Sequence, residues 1–277
     1  LYNDANDFTG KFYGANASPV YFTSIKNSGV ASAVGAGSVL ETGYNNQMIY
    51  TGPGDTTDRT LSLVGNGYFY LKNNGTGPLV WTGPFANTMN AGTHILQFGG
   101  SNTGTNEFRG SLSNSVSGVL SLEKGDAGTW ILSGVNTFAG DLDIYGGTLR
   151  LGGAGQLGGG TYASPNSTYI SAGAIFDFSS SATQTISSAF INNGSILVNG
   201  PGILTLSGNN SYAGVTIISN GTLKAGSTTA LSVNSTFSVK AGGTLDLAGY
   251  DNTILNLTAD TATSVITDSS APGSGGR

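Results

Sequence analysis

The chain offers few side chains that could do chemistry, and their spacing limits each of them. Asp141 and Asp143 are two residues apart, so on an extended strand both carboxylates would point to one face and could bind a cation with carbonyl help. Solvated outer-face residues are the simpler reading. Asp55 and Asp58 lie in Thr51-Gly52-Pro53-Gly54-Asp55-Thr56-Thr57-Asp58-Arg59, which predicts a protruding surface loop. His94 is the single histidine, with no carboxylate within ten residues and no cysteine in the chain. A metal site or a nucleophile-base pair therefore has nothing local to build on, and a structural or exposed histidine is expected.

Gly153-Ala154-Gly155-Gln156-Leu157-Gly158 matches the dinucleotide pattern G-x-G-x-x-G, but Gly159-Gly160-Thr161-Tyr162 follows and cannot open the helix that would hold a pyrophosphate. A loop is expected. The calcium nonapeptide fails in Gly152-Gly153-Ala154-Gly155-Gln156-Leu157, because leucine stands where the aspartate ligand belongs. The 15 carboxylates show no clustering that would favour a paired acid and base. We therefore assign no catalytic, cofactor-binding or metal-binding residue. Sequons such as Asn166-Ser167-Thr168 and Asn234-Ser235-Thr236 arise by composition alone.

Aromatic residues are the better candidates for a binding surface. Of the 26 aromatics, 15 precede residue 127. In Tyr68-Phe69-Tyr70-Leu71 one alternate set faces inward and the other outward, which makes Tyr68 and Tyr70 a possible binding surface for sugar rings or a protein partner.

The elements that would position these residues follow from period-two patterning. Leu204 and Leu206 flank Thr205, Leu245 and Leu247 flank Asp246, Phe176 and Phe178 flank Asp177, and Leu61 and Leu63 flank Ser62. Such runs are short strands with one buried face. They end at glycine and asparagine, as in Asn199-Gly200-Pro201-Gly202 and Asn220-Gly221, which tolerate sharp turns. No segment has helical spacing with caps, so almost no helix is expected.

Composition narrows the class further. Only 9% of the 277 residues are charged, 45 are glycine, and the net charge is −5. Ten dispersed basic residues make no footprint for a phosphate backbone, so nucleic acid is not expected as a partner. No stretch reaches the roughly 20 apolar residues of a membrane-spanning helix. Absence of cysteine excludes disulfide staples and fits a bacterial exported protein.

The chain also repeats itself. Residues 128–150 align without a gap on 202–224, an offset of 74, with 11 of 23 positions identical. Downstream, 167–178 and 235–247 continue the register with one inserted residue. A shorter element, Asn-x-(Phe/Tyr)-x-Gly, begins at Asn6, Asn106, Asn136 and Asn210. Recurrence of this kind favours stacked coils over a sandwich. The fold expected is all-β, a parallel β-helix (β-solenoid) of about eleven coils, with the 74-residue offset spanning about three coils of roughly 25 residues. At ~4.8 Å per coil the rod would be about 50 Å long. Turn asparagines such as Asn136 and Asn210 would stack as amide ladders. The organisation expected is diverged, aromatic-rich coils over 1–127, the repeats over 128–258, and a polar C-terminal tail or the start of a further coil over 259–277.

At 128–151 and 202–225 the pattern Leu-Ser-Gly-x-Asn-(Thr/Ser)-(Phe/Tyr)-Ala-Gly, followed by Gly-Thr-Leu, resembles the passenger-associated transport repeat of bacterial autotransporter-like surface proteins. Residues 96–110 look like a variant of it. The resemblance implies a right-handed parallel β-helix outside the cell or on the bacterial cell surface, serving as a stalk or adhesive passenger. The function expected is a non-enzymatic structural stalk or filament subunit, with self-association through the solenoid ends. An adhesin or carbohydrate-binding passenger, engaging glycans or a host or neighbour-cell surface through outward aromatics, is the alternative, and a polysaccharide lyase is a more remote one. No cofactor is expected. The membrane barrel common in the family is not seen in 259–277.

Overall fold

A computed structural model describes residues 1–14, 18–260 and 262–270. As the alternation predicts, the chain is a parallel β-solenoid, of about ten turns against the eleven expected. The sole helical element among the described residues is one 3-10 turn at Gly158–Gly160. Two compact units, 1–140 and 141–277, divide it.

In the first unit three sheets run side by side. One contains Phe12–Gly14, Val39–Gly43, Thr60–Gly65 and Phe85–Met89. The second contains Pro19–Phe22, Gln47–Tyr50, Tyr68–Asn73, Gly92–Gly99 and Gly118–Lys124. The third contains Asp55–Thr57, Leu79–Trp81, Asn106–Phe108 and Thr129–Leu132. Inward residues stack coil on coil: Phe69 lies beside Leu96 and Leu96 beside Leu122, all buried. Phe98 packs on Trp130 with ring centroids 4.6 Å apart, and on Phe108 at 5.7 Å. The buried indoles have partners too, since Trp81 Nε1 donates to the Arg59 carbonyl at 2.6 Å and Trp130 Nε1 to that of Gly99 at 2.8 Å.

The second unit repeats the plan. Leu142–Ile144, Thr168–Ile170 and Phe190–Ile191 form one face. Thr148–Leu151, Ile175–Phe178, Ser195–Val198, Thr216–Ile218, Thr236–Val239 and Asn256–Ala259 form the next. Thr161–Tyr162, Thr183–Ile186, Ile203–Leu206, Gly221–Ala225, Gly243–Asp246 and Val265–Thr267 form the third. Like residues do stack here: Gly221, Thr222 and Leu223 lie on Gly243, Thr244 and Leu245.

The coil length needs correcting. From Leu149 to Phe176 the step is 27 residues, but from Phe176 to Ile196 and from Ile196 to Thr216 it is 20. The 74-residue offset therefore spans three coils plus one face. Leu142–Ile144 and its repeat counterpart Thr216–Ile218 lie on different sheets, as do Thr148–Leu151 and Gly221–Ala225. Sequence recurrence encodes the strand-turn-strand unit, which fits any face, rather than the vertical register.

Scarce charge is used across coils. Arg150 lies opposite Asp177 in register and pairs with it at 2.7 Å, and Lys224 lies opposite Asp246 at 3.6 Å. Lys11–Glu41, Lys26–Asp55, Lys72–Asp126 and Lys240–Asp260 also bridge separate segments, and Arg109 pairs with Glu107. The remaining described basic residues, Arg59 and Lys124, are buried against backbone carbonyls. Among the described residues no buried side-chain nitrogen or oxygen lacks a hydrogen-bond partner.

Candidate functional site

The strand Tyr68–Asn73 buries Phe69 and Leu71, which turns Tyr68 and Tyr70 outward as the alternation requires. Tyr68 is 42% exposed and Tyr70 half-buried. Their rings are 6.1 Å apart and within 14° of parallel. Lys72 Nζ stands 5.6 Å from the Tyr70 ring centroid and pairs with Asp126 at 3.1 Å. Burial, with Glu123 nearby, pushes the Tyr70 hydroxyl upward in pKa. Gln47 and Gln97 flank Tyr70 in register and Ile95 lies beside Tyr68, so the pair is an island rather than one link of an aromatic file.

The aspartates fall elsewhere than expected. Asp55 is not in a protruding loop: it is buried in a strand, accepts the Ile25 N–H and the Tyr50 hydroxyl at 3.0 Å each, and pairs with Lys26. Asp58 accepts the Ser28 N–H at 2.6 Å, which ties down the segment before it. Asp141 and Asp143 are more than solvated surface groups. Asp141 accepts from the Asn166 backbone, the Asn166 amide and the Ser164 hydroxyl at 2.8–2.9 Å. Burial would raise its pKa, but these bonds hold it below the usual carboxylate range. Asp143 accepts the Tyr169 N–H and the Tyr145 hydroxyl, each at 3.1 Å, yet burial dominates and raises it.

His94 is buried and structural: Nε2 lies 3.0 Å from the Asn90 carbonyl, and the Gly67 N–H points to Nδ1 at 3.4 Å. The glycine run 153–158 is a turn leading into Gly158–Gly160 and a strand, with no α-helix behind it. Among the described residues no group of three or more His, Cys, Asp or Glu could hold a metal ion.

Sequence reasoning passed over Tyr145 and Tyr169. Both face outward, with ring centroids 5.9 Å apart. The signal was present in Leu142-Asp143-Ile144-Tyr145 and Thr168-Tyr169-Ile170, whose alternation turns Asp143, Tyr145 and Tyr169 out and Leu142, Ile144, Thr168 and Ile170 in. Their juxtaposition depends on Asp143 lying opposite Tyr169, a register that no local pattern states.

The short element with asparagine and glycine has a consistent geometry. Asn106 accepts the Leu79 N–H at 3.0 Å and donates to the Thr129 carbonyl at 2.9 Å. Asn210 accepts the Phe190 N–H at 2.7 Å and donates to the Ala230 carbonyl at 2.6 Å. Each clips the coil before to the coil after. Asn136 accepts the Leu112 N–H at 3.0 Å, and Asn6 donates to the Ala33 carbonyl at 3.1 Å. Asn136 and Asn210, for which the sequence suggested a ladder of like asparagines, bind backbone instead, while Asn106 also accepts from the Asn73 amide of the coil before at 2.5 Å. The aromatic member is buried at Phe108, Phe138 and Tyr212. The glycine permits close approach: a methyl group on Gly140 would sit 2.4 Å from the Leu120 carbonyl oxygen, and one on Gly214 2.0 Å from that of Gly194.

Residues 122–151 and 198–225, which hold two of the four copies of this element, match the passenger-associated-transport-repeat family. The chain carries autotransporter passenger repeats. It is also 39% identical over 140 residues to the adhesin BmaC autotransporter of Brucella suis biovar 1 (strain 1330). That alignment takes in 48% of this chain and 4% of the relative, so the chain spans a small part of the relative's length. No solved structure matches. In the passenger repeats the asparagine, the buried ring and the close glycine thus form one device for turning a corner between coils.

Proposed function

We propose that this chain is a non-enzymatic shaft segment of an autotransporter passenger, displayed outside the cell or on the bacterial cell surface, with adhesive side chains on its outer faces. One observation carries the reading: passenger repeats are built into coils whose strands pair in parallel with those of the coils beside them. The adhesive arm draws support from the relative, which is an adhesin, and from the outward tyrosines. Against a lyase, the carboxylate of the Lys26–Asp55 depression is already taken by Ile25, Tyr50 and Lys26.

An epitope placed beside the exposed Val116 tests this reading on cells producing the parent protein. Antibody should label intact cells, and external protease should remove the label. Labelling that needs permeabilised cells would overturn surface display. Tyr68 and Tyr70 are the contact residues of the adhesive arm; their joint replacement by alanine should lower adhesion to glycan-coated surfaces, and unchanged adhesion removes them.

End-to-end association has its own supporting observation. Leu257 and Ile266 continue the inward stacks of Phe237 and Leu245, yet are 39% and 45% exposed in the last described coil. A second copy of the chain stacked on this coil would cover them, as would a further coil of the same polypeptide. Sedimentation should detect concentration-dependent association that Leu257→Asp with Ile266→Asp abolishes; a wild-type chain that stays monomeric at high concentration counts against it.

A further inference from the structure

Tyr145 and Tyr169 belong to successive coils of the second unit and flank Asp143, which lies opposite Tyr169 in register. The two rings are 47% and 37% exposed and inclined at 46° to each other. Asp143 ties them together, one oxygen on the Tyr169 N–H and the other on the Tyr145 hydroxyl. With Asn166, Ser167 and Ile191 they line one open depression of about 560 Å³. That size is within the ~300–1,000 Å³ of small-molecule sites.

We propose that this depression is a binding site for a neutral pyranose unit of a glycan. A pyranose has an apolar C–H face and a rim of hydroxyls. Two inclined, exposed rings offer the surface on which such a face packs. Asp143 and the Asn166 and Ser167 side chains offer the acceptors and donors that hydroxyls need. The rim is uncharged apart from Asp143, which suits a sugar better than a cationic side chain. Each carboxylate oxygen keeps lone-pair capacity beyond the bond it accepts here. The site is open and small, so affinity for a single sugar is on the order of 1 mM, and useful adhesion would come from many copies. This site is distinct from Tyr68 and Tyr70, and the shaft reading does not depend on it.

Saturation-transfer NMR on the whole chain tests the proposal, with methyl β-galactopyranoside, methyl β-glucopyranoside and n-butylammonium as probes. A pyranoside should receive saturation at its ring C–H protons and shift the backbone amides of Tyr169 and Ile191. Tyr169→Ala should weaken binding roughly tenfold. Tyr145→Phe, which keeps the ring and removes its bond to Asp143, should retain most of it. Circular dichroism establishes that the variants fold; if Tyr169→Ala does not, the amide shifts of the wild-type chain decide. The proposal is overturned by saturation of neither pyranoside, by binding unchanged in folded Tyr169→Ala, by shifts mapping elsewhere, or by binding of n-butylammonium alone. None of these outcomes alters the surface-labelling result.

Discussion

Arg59 is fully buried and meets no carboxylate in direct contact; its guanidinium instead donates to the carbonyls of Lys26, Val30, Val34 and Gly35 and to the Ser32 hydroxyl. Burial lowers its pKa, with Asp58 opposing, but an arginine stays charged. The fork thereby folds the segment 26–35 around itself. Arg59→Met should cost about 3–5 kcal/mol in chemical denaturation, because several buried carbonyls lose their donor. Arg59→Lys should rescue little, having fewer donors in another geometry. Lys124 is the second buried cation, bound to the Gly125 and Asp126 carbonyls and pushed down to about 8 by burial. Between pH 8 and 10.5 the unfolded chain binds more protons at this site than the folded one, so its contribution to stability rises with pH. Thermal melts should therefore move in favour of wild type over Lys124→Met as pH climbs through that window. Neither role was legible in the sequence. Arg59 ends a stretch that reads as a surface loop, and Lys124 falls at an inward position that patterning reserves for apolar side chains.

At the scale of the element, alternation located the strands because a half-buried strand needs little more than period two. The outward orientation of Tyr68 and Tyr70 was legible for that reason. The aspartates were not, because Asn166 and Tyr169 for one pair and Ile25 for Asp55 come from other turns of the chain, and Tyr50 reaches Asp55 only across the corner between two successive strands. The corner element gives a sharper test. Gly214→Ala should destabilise by about 1–3 kcal/mol, since the new methyl meets the Gly194 carbonyl. Gly10→Ala, at the equivalent glycine of the first copy, should be tolerated, because nothing lies within 4 Å of the added group. Parallel urea titrations of the two variants check both; equal losses would show that the glycine acts through backbone freedom rather than close approach.

For the molecule as a whole, recurrence in the sequence pointed to the solenoid but misled about its pitch. Coils of 27 and 20 residues coexist in the second unit, and turn length varies without disturbing the inward stacks. A single average period hides this, because loops bulge outward at no cost to the pairing. The rotation of the repeat by one face has a further consequence. If a duplicated segment settles on whichever side of the prism comes next, the unit of heredity is the corner and not the full circuit. Recombination between the two copies would then change the solenoid by three turns and a third rather than by whole turns.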